Sequence, residues 1–248
     1  MLVAEGLTKG FGGPPVVDGV SFTLARGSIT GLIGPNGAGK TTLFNCIAGS
    51  LTSGGGTLTL DGARIDGLRP DAIFARGLAR TFQIPRPFLA MTVLENVMLA
   101  PQTQQGERFW TNWLRPSAVT AEEKQVRARA LHWLDFVGLT HLAQQPSRVL
   151  SGGQRKLLEL ARVLVAEPKL ILLDEPAAGV APPLLATIIE KIAALNAQGT
   201  TFLIIEHNME LVTSLCRPVI VLAQGRKLLE GAPEDVKRDP RVIEAYLG

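Results

Sequence analysis

The chain has 248 residues and a formal net charge of +3, long enough for one sizeable core with an inserted subdomain and too short for two large domains. Hydrophobic residues make up 46% of it, which excludes a disordered chain. The Ala, Leu, Val and Ile content, with few aromatics, suits a buried parallel sheet between helices.

No run of five or six Lys/Arg occurs, so neither a nucleic-acid stripe nor a polybasic membrane anchor is written here. The two cysteines, Cys46 and Cys216, lack metal-ligand spacing and read as buried thiols in a reducing compartment. No apolar stretch approaches the roughly 18 residues of a membrane span, and Met1 to Gly10 has no signal-peptide pattern. Any membrane role is expected to come through partner proteins.

In chain order, Leu2 to Leu7, Val16 to Leu24 and Ile29 to Ile33 read as strands. The third runs into a glycine-rich loop, followed by a helix from about Gly39 to Ala48 with Gly49 as its stop. Ser53-Gly54-Gly55-Gly56 is a turn before the strand Thr57 to Leu60, and Asp61-Gly62 is a hairpin turn. Thr92 with Glu95 forms a capping box opening a helix through about Ala100. Thr120 with Glu123 predicts a second helix, running to Val137 and stopped by Gly138. The segment 101–119 between them is irregular.

From Leu170 strands and helices alternate. Leu170 to Asp174 and Thr201 to Ile205 are strands, Pro183 to Gln198 and Asn208 to Leu215 helices, and Val219 to Glu230 a terminal hairpin. This pattern predicts an α/β core, residues 1–86 and 169–248, with a mostly parallel sheet and an N-terminal antiparallel β portion. Residues 87–168 form an inserted α-helical subdomain.

Gly34-Pro35-Asn36-Gly37-Ala38-Gly39-Lys40-Thr41 fits the P-loop pattern. Its glycines let backbone N–H groups converge on phosphate oxygens, and the following helix adds the positive end of its dipole. Lys40 reaches the β- and γ-phosphates, the Thr41 hydroxyl is a Mg²⁺ ligand, and Thr42 lies near the α-phosphate. Leu170 to Leu173 delivers Asp174 at a strand's carboxyl end, where ligands sit in such sheets. Asp174 is expected to hold Mg²⁺ and Glu175 to polarise an attacking water. Leu150-Ser151-Gly152-Gly153-Gln154 opens another helix at an anion-binding N-terminus. One P-loop and a second phosphate-binding helix start point to a dimer in which each chain covers the other's ATP.

These elements resemble the Walker A, signature and Walker B motifs of ABC ATPases, in order and over essentially the whole chain. The resemblance implies a P-loop NTPase (RecA-like) core and further residues. Gln83, in Thr81-Phe82-Gln83, matches the glutamine that senses Mg²⁺ and faces the membrane subunit. His207 matches the switch histidine that contacts the γ-phosphate, and Phe11 the aromatic that stacks on adenine. Val16 joins the nucleotide-binding set. Ala181, in Gly179-Val180-Ala181-Pro182, departs from the family, whose D-loop usually offers Asp or Asn there. That side chain helps couple the two sites of the dimer.

Thr81 to Pro87, Met91 to Asn96, Ser151 to Arg162, Phe202 to Asn208 and Glu244 to Gly248 are similar to the ATP-binding subunits of branched-chain amino acid importers. The segment 101–119 is similar to an insertion of that subfamily, where Phe109, Trp110, Trp113 and Leu114 read as local packing or as a contact with partner subunits. The resemblance implies ATP and Mg²⁺ as cofactors, and a place at the cytoplasmic face of the cell membrane. It implies transmembrane permease subunits, a second ATPase subunit and, indirectly, an extracytoplasmic binding protein as partners. Urea-importer ATPases and lipid or lipopolysaccharide exporters are the alternatives, and a soluble regulatory ABC ATPase a remote one.

Overall fold

A computed structural model describes residues 1–81, 87–100 and 116–247, and of 116–119 the backbone only. The chain divides into two compact units: Met1–Gln83, Pro168–Ala178 and Leu185–Gly248 form the first, Ile84–Glu167 and Gly179–Leu184 the second.

The first unit holds two sheets. β1 (Leu2–Lys9), β2 (Val17–Leu24), β4 (Gly55–Leu60) and the short β5 (Ala63–Arg64) make an antiparallel sheet in the order β2-β1-β4-β5. In β2 the apolar residues Val17, Val20, Phe22 and Leu24 face inward while their neighbours are more exposed, the pattern of a sheet with one buried face. The Asp61-Gly62 turn joins β4 to β5, with both residues at positive φ as such tight hairpin turns demand.

The second sheet is built from β3 (Ile29–Ile33), β6 (Leu78–Arg80), β7 (Leu170–Asp174), β8 (Thr201–Ile205), β9 (Val219–Ala223) and β10 (Arg226–Gly231) in the order β10-β9-β3-β8-β7-β6. Its pairs are parallel except the terminal β9–β10 hairpin. Every residue of β3, β7 and β8 is buried, because both faces of a parallel sheet are covered; hence their near-continuous apolar sequences. One apolar cluster joins both sheets through Leu43, Phe44 and Ile47 of helix α1 (Lys40–Ile47).

Helix α2 (Pro70–Phe74) and β6 lie in a stretch that sequence periodicity leaves unassigned. Both are too short to show a period. The chain's last turns, α8 (Pro233–Arg238) and α9 (Pro240–Leu247), also go unread, although each opens on the proline that marks a first helical turn.

The helical unit contains α3 (Val93–Met98), α4 (Pro116–Phe136) and α5 (Gly152–Leu164). The Thr92–Glu95 capping box forms as expected: Thr92 N donates to Glu95 Oε2 at 2.7 Å and Glu95 N to Thr92 Oγ1 at 3.1 Å. The second box does not open its helix. α4 begins at Pro116, which needs no N–H partner in a first turn, so Thr120 and Glu123 fall inside the helix. Within this unit Asn96 is fully buried and clamps the Phe88 loop. Its Oδ1 accepts from Phe88 N at 2.8 Å, and its Nδ2 donates to the carbonyls of Phe88 and Thr92.

α6 (Pro182–Ala197) follows β7 and α7 (Met209–Leu215) follows β8. The strands and helices expected from Leu170 onward are present, each within a residue or two of its expected ends.

Candidate nucleotide site

β3 ends buried and hands the chain to the loop Gly34–Gly39. Two glycines there are obligatory. Gly34 has φ 150°, and a Cβ on it would sit 2.1 Å from Leu222 O. Gly39 has φ 93°, and its Cβ would sit 2.3 Å from Val16 O. Both clashes are with backbone, so no side-chain adjustment relieves them. Gly39 is the left-handed N-cap of α1, and no side chain caps this helix start. Its amides are left for a ligand.

A cavity of about 200 Å³ opens at this helix start, lined by Val16, Asn36, Gly37, Ala38, Gly39, Lys40, Thr41, Thr42, Glu175 and His207. Residues from four parts of the chain, predicted separately, meet here. Lys40 is buried, and its Nζ donates to Gly34 O at 2.7 Å and Pro35 O at 2.8 Å. Burial pushes its pKa down, countered in part by the charges of Glu175 and Asp174. Glu175 leaves β7 at φ 48°, a region few residues other than glycine adopt. Its N–H donates to Ile205 O at 2.9 Å, and its Oε1 stands 3.3 Å from His207 Nε2.

Asp174, one residue earlier, is not among the cavity's lining residues. Its Oδ2 accepts from Arg80 Nη2 at 2.8 Å, and both side chains are mostly buried. Arg80 Nη1 donates to Asn45 Oδ1 at 2.5 Å, and the guanidinium lies 5.8 Å from the centre of the Phe44 ring. Arg80 therefore ties the end of β6 to α1 and to the end of β7. Sequence reading gave Arg80 no role, since its partners are 35 and 94 positions away. Arg80→Met leaves a buried carboxylate without its cation and is expected to lower stability by about 3 kcal/mol. Urea unfolding checks this, and a double variant with Asp174→Asn is expected to recover part of the loss.

Phe11 lies outside the cavity, 62% exposed, with the Lys9 ammonium 5.3 Å from its ring centre. Gln83 falls outside the described residues, as do Phe109, Trp110, Trp113 and Leu114. Ser151, Gly152, Gly153 and Gln154 belong to the helical unit. There Ser151 caps α5 in a reciprocal box: Gln154 N donates to Ser151 Oγ at 3.2 Å and Ser151 N to Gln154 Oε1 at 2.9 Å. A Cβ on Gly152 would meet open space, whereas one on Gly153 would run into the Leu184 side chain.

Among the described residues no group of three or more His, Cys, Asp or Glu is arranged to hold a metal. The donors nearby are hard oxygens, the Thr41 hydroxyl and the Asp174 carboxylate. That set fits Mg²⁺, which keeps most of its waters and takes one or two protein ligands beside substrate phosphates.

Residues 17–178 match the family model described as ABC transporter. The chain belongs to the ABC transporter ATP-binding family. The cassette is 41% identical to the high-affinity branched-chain amino acid transport ATP-binding protein LivG of Salmonella typhimurium, over 100% of this chain and 98% of that protein. It is 39% identical to BraF of Pseudomonas aeruginosa, which carries the same description, at the same coverage. A LivG of Archaeoglobus fulgidus, described as a probable branched-chain amino acid transport ATP-binding protein, is also 39% identical, over 100% and 95%.

Residues 226–248 of the cassette match a second model, described as branched-chain amino acid ATP-binding cassette transporter. Among solved structures, a nucleotide-free ATP-binding cassette from an ABC transporter superposes with a TM-score of 0.87 at 38% identity, covering 100% of this chain and 99% of that one. A cassette in its ADP conformation superposes at 0.86 and 37%, covering 100% and 98%. The cassette is an ATPase of the P-loop type. None of its described helices is long and apolar enough to cross a membrane.

Proposed function

We propose that this cassette powers the uptake of branched-chain amino acids, working at the cytoplasmic face of the cell membrane against permease subunits that receive cargo from an extracytoplasmic binding protein. The observation that carries the cargo is the full-length similarity to LivG and BraF, extended by the match of the last residues to the amino acid transporter model.

The residues take the following parts. The amides of Asn36 to Thr42 and the Lys40 ammonium bind the phosphates of ATP, Gly34 and Pro35 hold the loop's shape, and Val16 closes one side of the cavity. Exposed Phe11 stacks on the adenine. Glu175 takes the proton of the attacking water, and His207 holds the γ-phosphate. Thr41, Asp174 and Gln83 would hold Mg²⁺. That ion supplies charge neutralisation on the β- and γ-phosphate oxygens when bound.

Two cassettes pair, each ATP lying between one chain's Lys40 loop and the other's Ser151–Gln154 helix start. The pair is this chain with itself or with a paralogous ATPase. ATP closes the pair, and hydrolysis with phosphate release opens it. The motion reaches the permeases through the surface around Gln83 to Met91. Ala181 stands where the family usually offers a polar D-loop side chain that helps couple the two sites.

Capture from gently solubilised native membranes with ATP, using the Glu175→Gln chain, tests this reading. Two permease subunits and a second ATPase are expected, and the reconstituted wild-type complex is expected to accumulate labelled leucine, isoleucine or valine. Lipid-export permeases would overturn both cargo and direction. A trapped dimer with no membrane partner would replace the transporter reading by that of a soluble regulatory ATPase.

A further inference from the structure

The residue before His207 is a buried acid that the proposed chemistry does not use. Glu206 is 2% exposed at the end of β8. Its carboxylate faces three backbone donors and fills both oxygens with them. Oε1 accepts from Ala177 N at 2.6 Å, while Oε2 accepts from His207 N at 2.8 Å and Asn208 N at 2.9 Å. Ala177 lies two residues beyond Glu175, on the loop leaving β7. One carboxylate thus bonds both the loop that carries Glu175 and the segment that carries His207. Asn208 passes the order on, its Oδ1 accepting from Leu211 N to cap α7. The charge also reaches the neighbouring Cys216 thiol, which burial first and Glu206 second push up to about 12.

We propose that Glu206 is a positioning residue for ATP hydrolysis, a staple that fixes the Glu175 carboxylate and the His207 imidazole relative to each other. The inference rests on the roles given above to those two residues. Parallel pairing of β7 with β8 alone does not fix them. The pairing ends at Asp174↔Ile205, followed by a single bond from Glu175 N to Ile205 O. Beyond that bond the Glu206 carboxylate links the backbones of the two loops. The chemistry of the link requires a carboxylate. Glutamine has the same shape but one acceptor and one donor, so either orientation turns an NH₂ group toward a backbone N–H. Misplacement of a reacting group by about 1 Å can cost about a hundredfold in rate.

Glu206→Gln in the full chain is expected to lower kcat for ATP by about ten- to a hundredfold, while the Kd of a non-hydrolysable ATP analogue stays within about twofold, because the phosphate-binding loop is untouched. In a His207→Ala background the same substitution is expected to cost severalfold less than in the wild type, since one of the two groups it holds relative to each other is gone. An unchanged kcat, a parallel loss of affinity, or costs that multiply in the double variant would each overturn the proposal. Should the variant not fold, amide hydrogen exchange on the wild-type chain decides: Ala177, His207 and Asn208 are expected to be protected together, and an Ala177 amide exchanging at the unprotected rate overturns the staple. Failure of the underlying roles reads differently, as normal turnover in Glu175→Gln.

Discussion

Glu175→Gln leaves ATP bound and lowers hydrolysis by about two to four orders of magnitude, the usual contribution of a positioned base. The carboxylate lines the same cavity as Lys40 and Thr41 and stands 3.3 Å from His207 Nε2. It is turned there by a backbone at φ 48° whose N–H is held by Ile205 O. Glutamine keeps the size and the backbone geometry but cannot take up a proton from water. Because the phosphate-binding residues are untouched, ATP stays and the paired form accumulates. Phosphate release, analogue binding and light scattering with ATP measure the three parts. Normal phosphate release would remove Glu175 from the role of base.

Lys40→Ala weakens nucleotide binding by about 1.5–3 kcal/mol, the range for a hydrogen bond to a charged group, or about ten- to more than a hundredfold in Kd. The ammonium donates to the carbonyls of Gly34 and Pro35. Phosphate oxygens offer it a charged partner in their place. Burial lowers the pKa of Lys40, and bound phosphate raises it. The sign follows from linkage: affinity is fully present below the pKa of the free site and declines as pH rises through that of the complex. Fluorescent-nucleotide titrations across this range are expected to show the decline in the wild type and not in the Ala variant. Equal affinity of the two chains at neutral pH would count against the assignment of the loop.

The motifs were legible because their physics is local. In Gly34 to Thr41 the glycine spacing, the apolar strand before it and the helix after it all lie within one short stretch, and so does the run that buries β7 and delivers Asp174. The helix start at Pro116 is not legible, for the opposite reason. Thr120 and Glu123 have the spacing of a capping box, but a proline upstream offered an earlier first turn. β6 and α2 are not legible because elements of three and five residues carry no period.

By itself, then, the sequence determined the α/β class, the phosphate loop, the acid pair Asp174-Glu175 and the family. Only the tertiary structure decided which side chains serve those groups. Arg80 reaches Asp174 because β6 is the edge neighbour of β7, and Glu206 reaches Ala177 because β8 flanks β7 on its other side. β6, β7 and β8 lie side by side in chain order, but long stretches of chain separate one strand from the next, so the partners are set by strand pairing and not by spacing. A buried carboxylate needs donors wherever the fold brings them, and a linear pattern of residues does not record where that is.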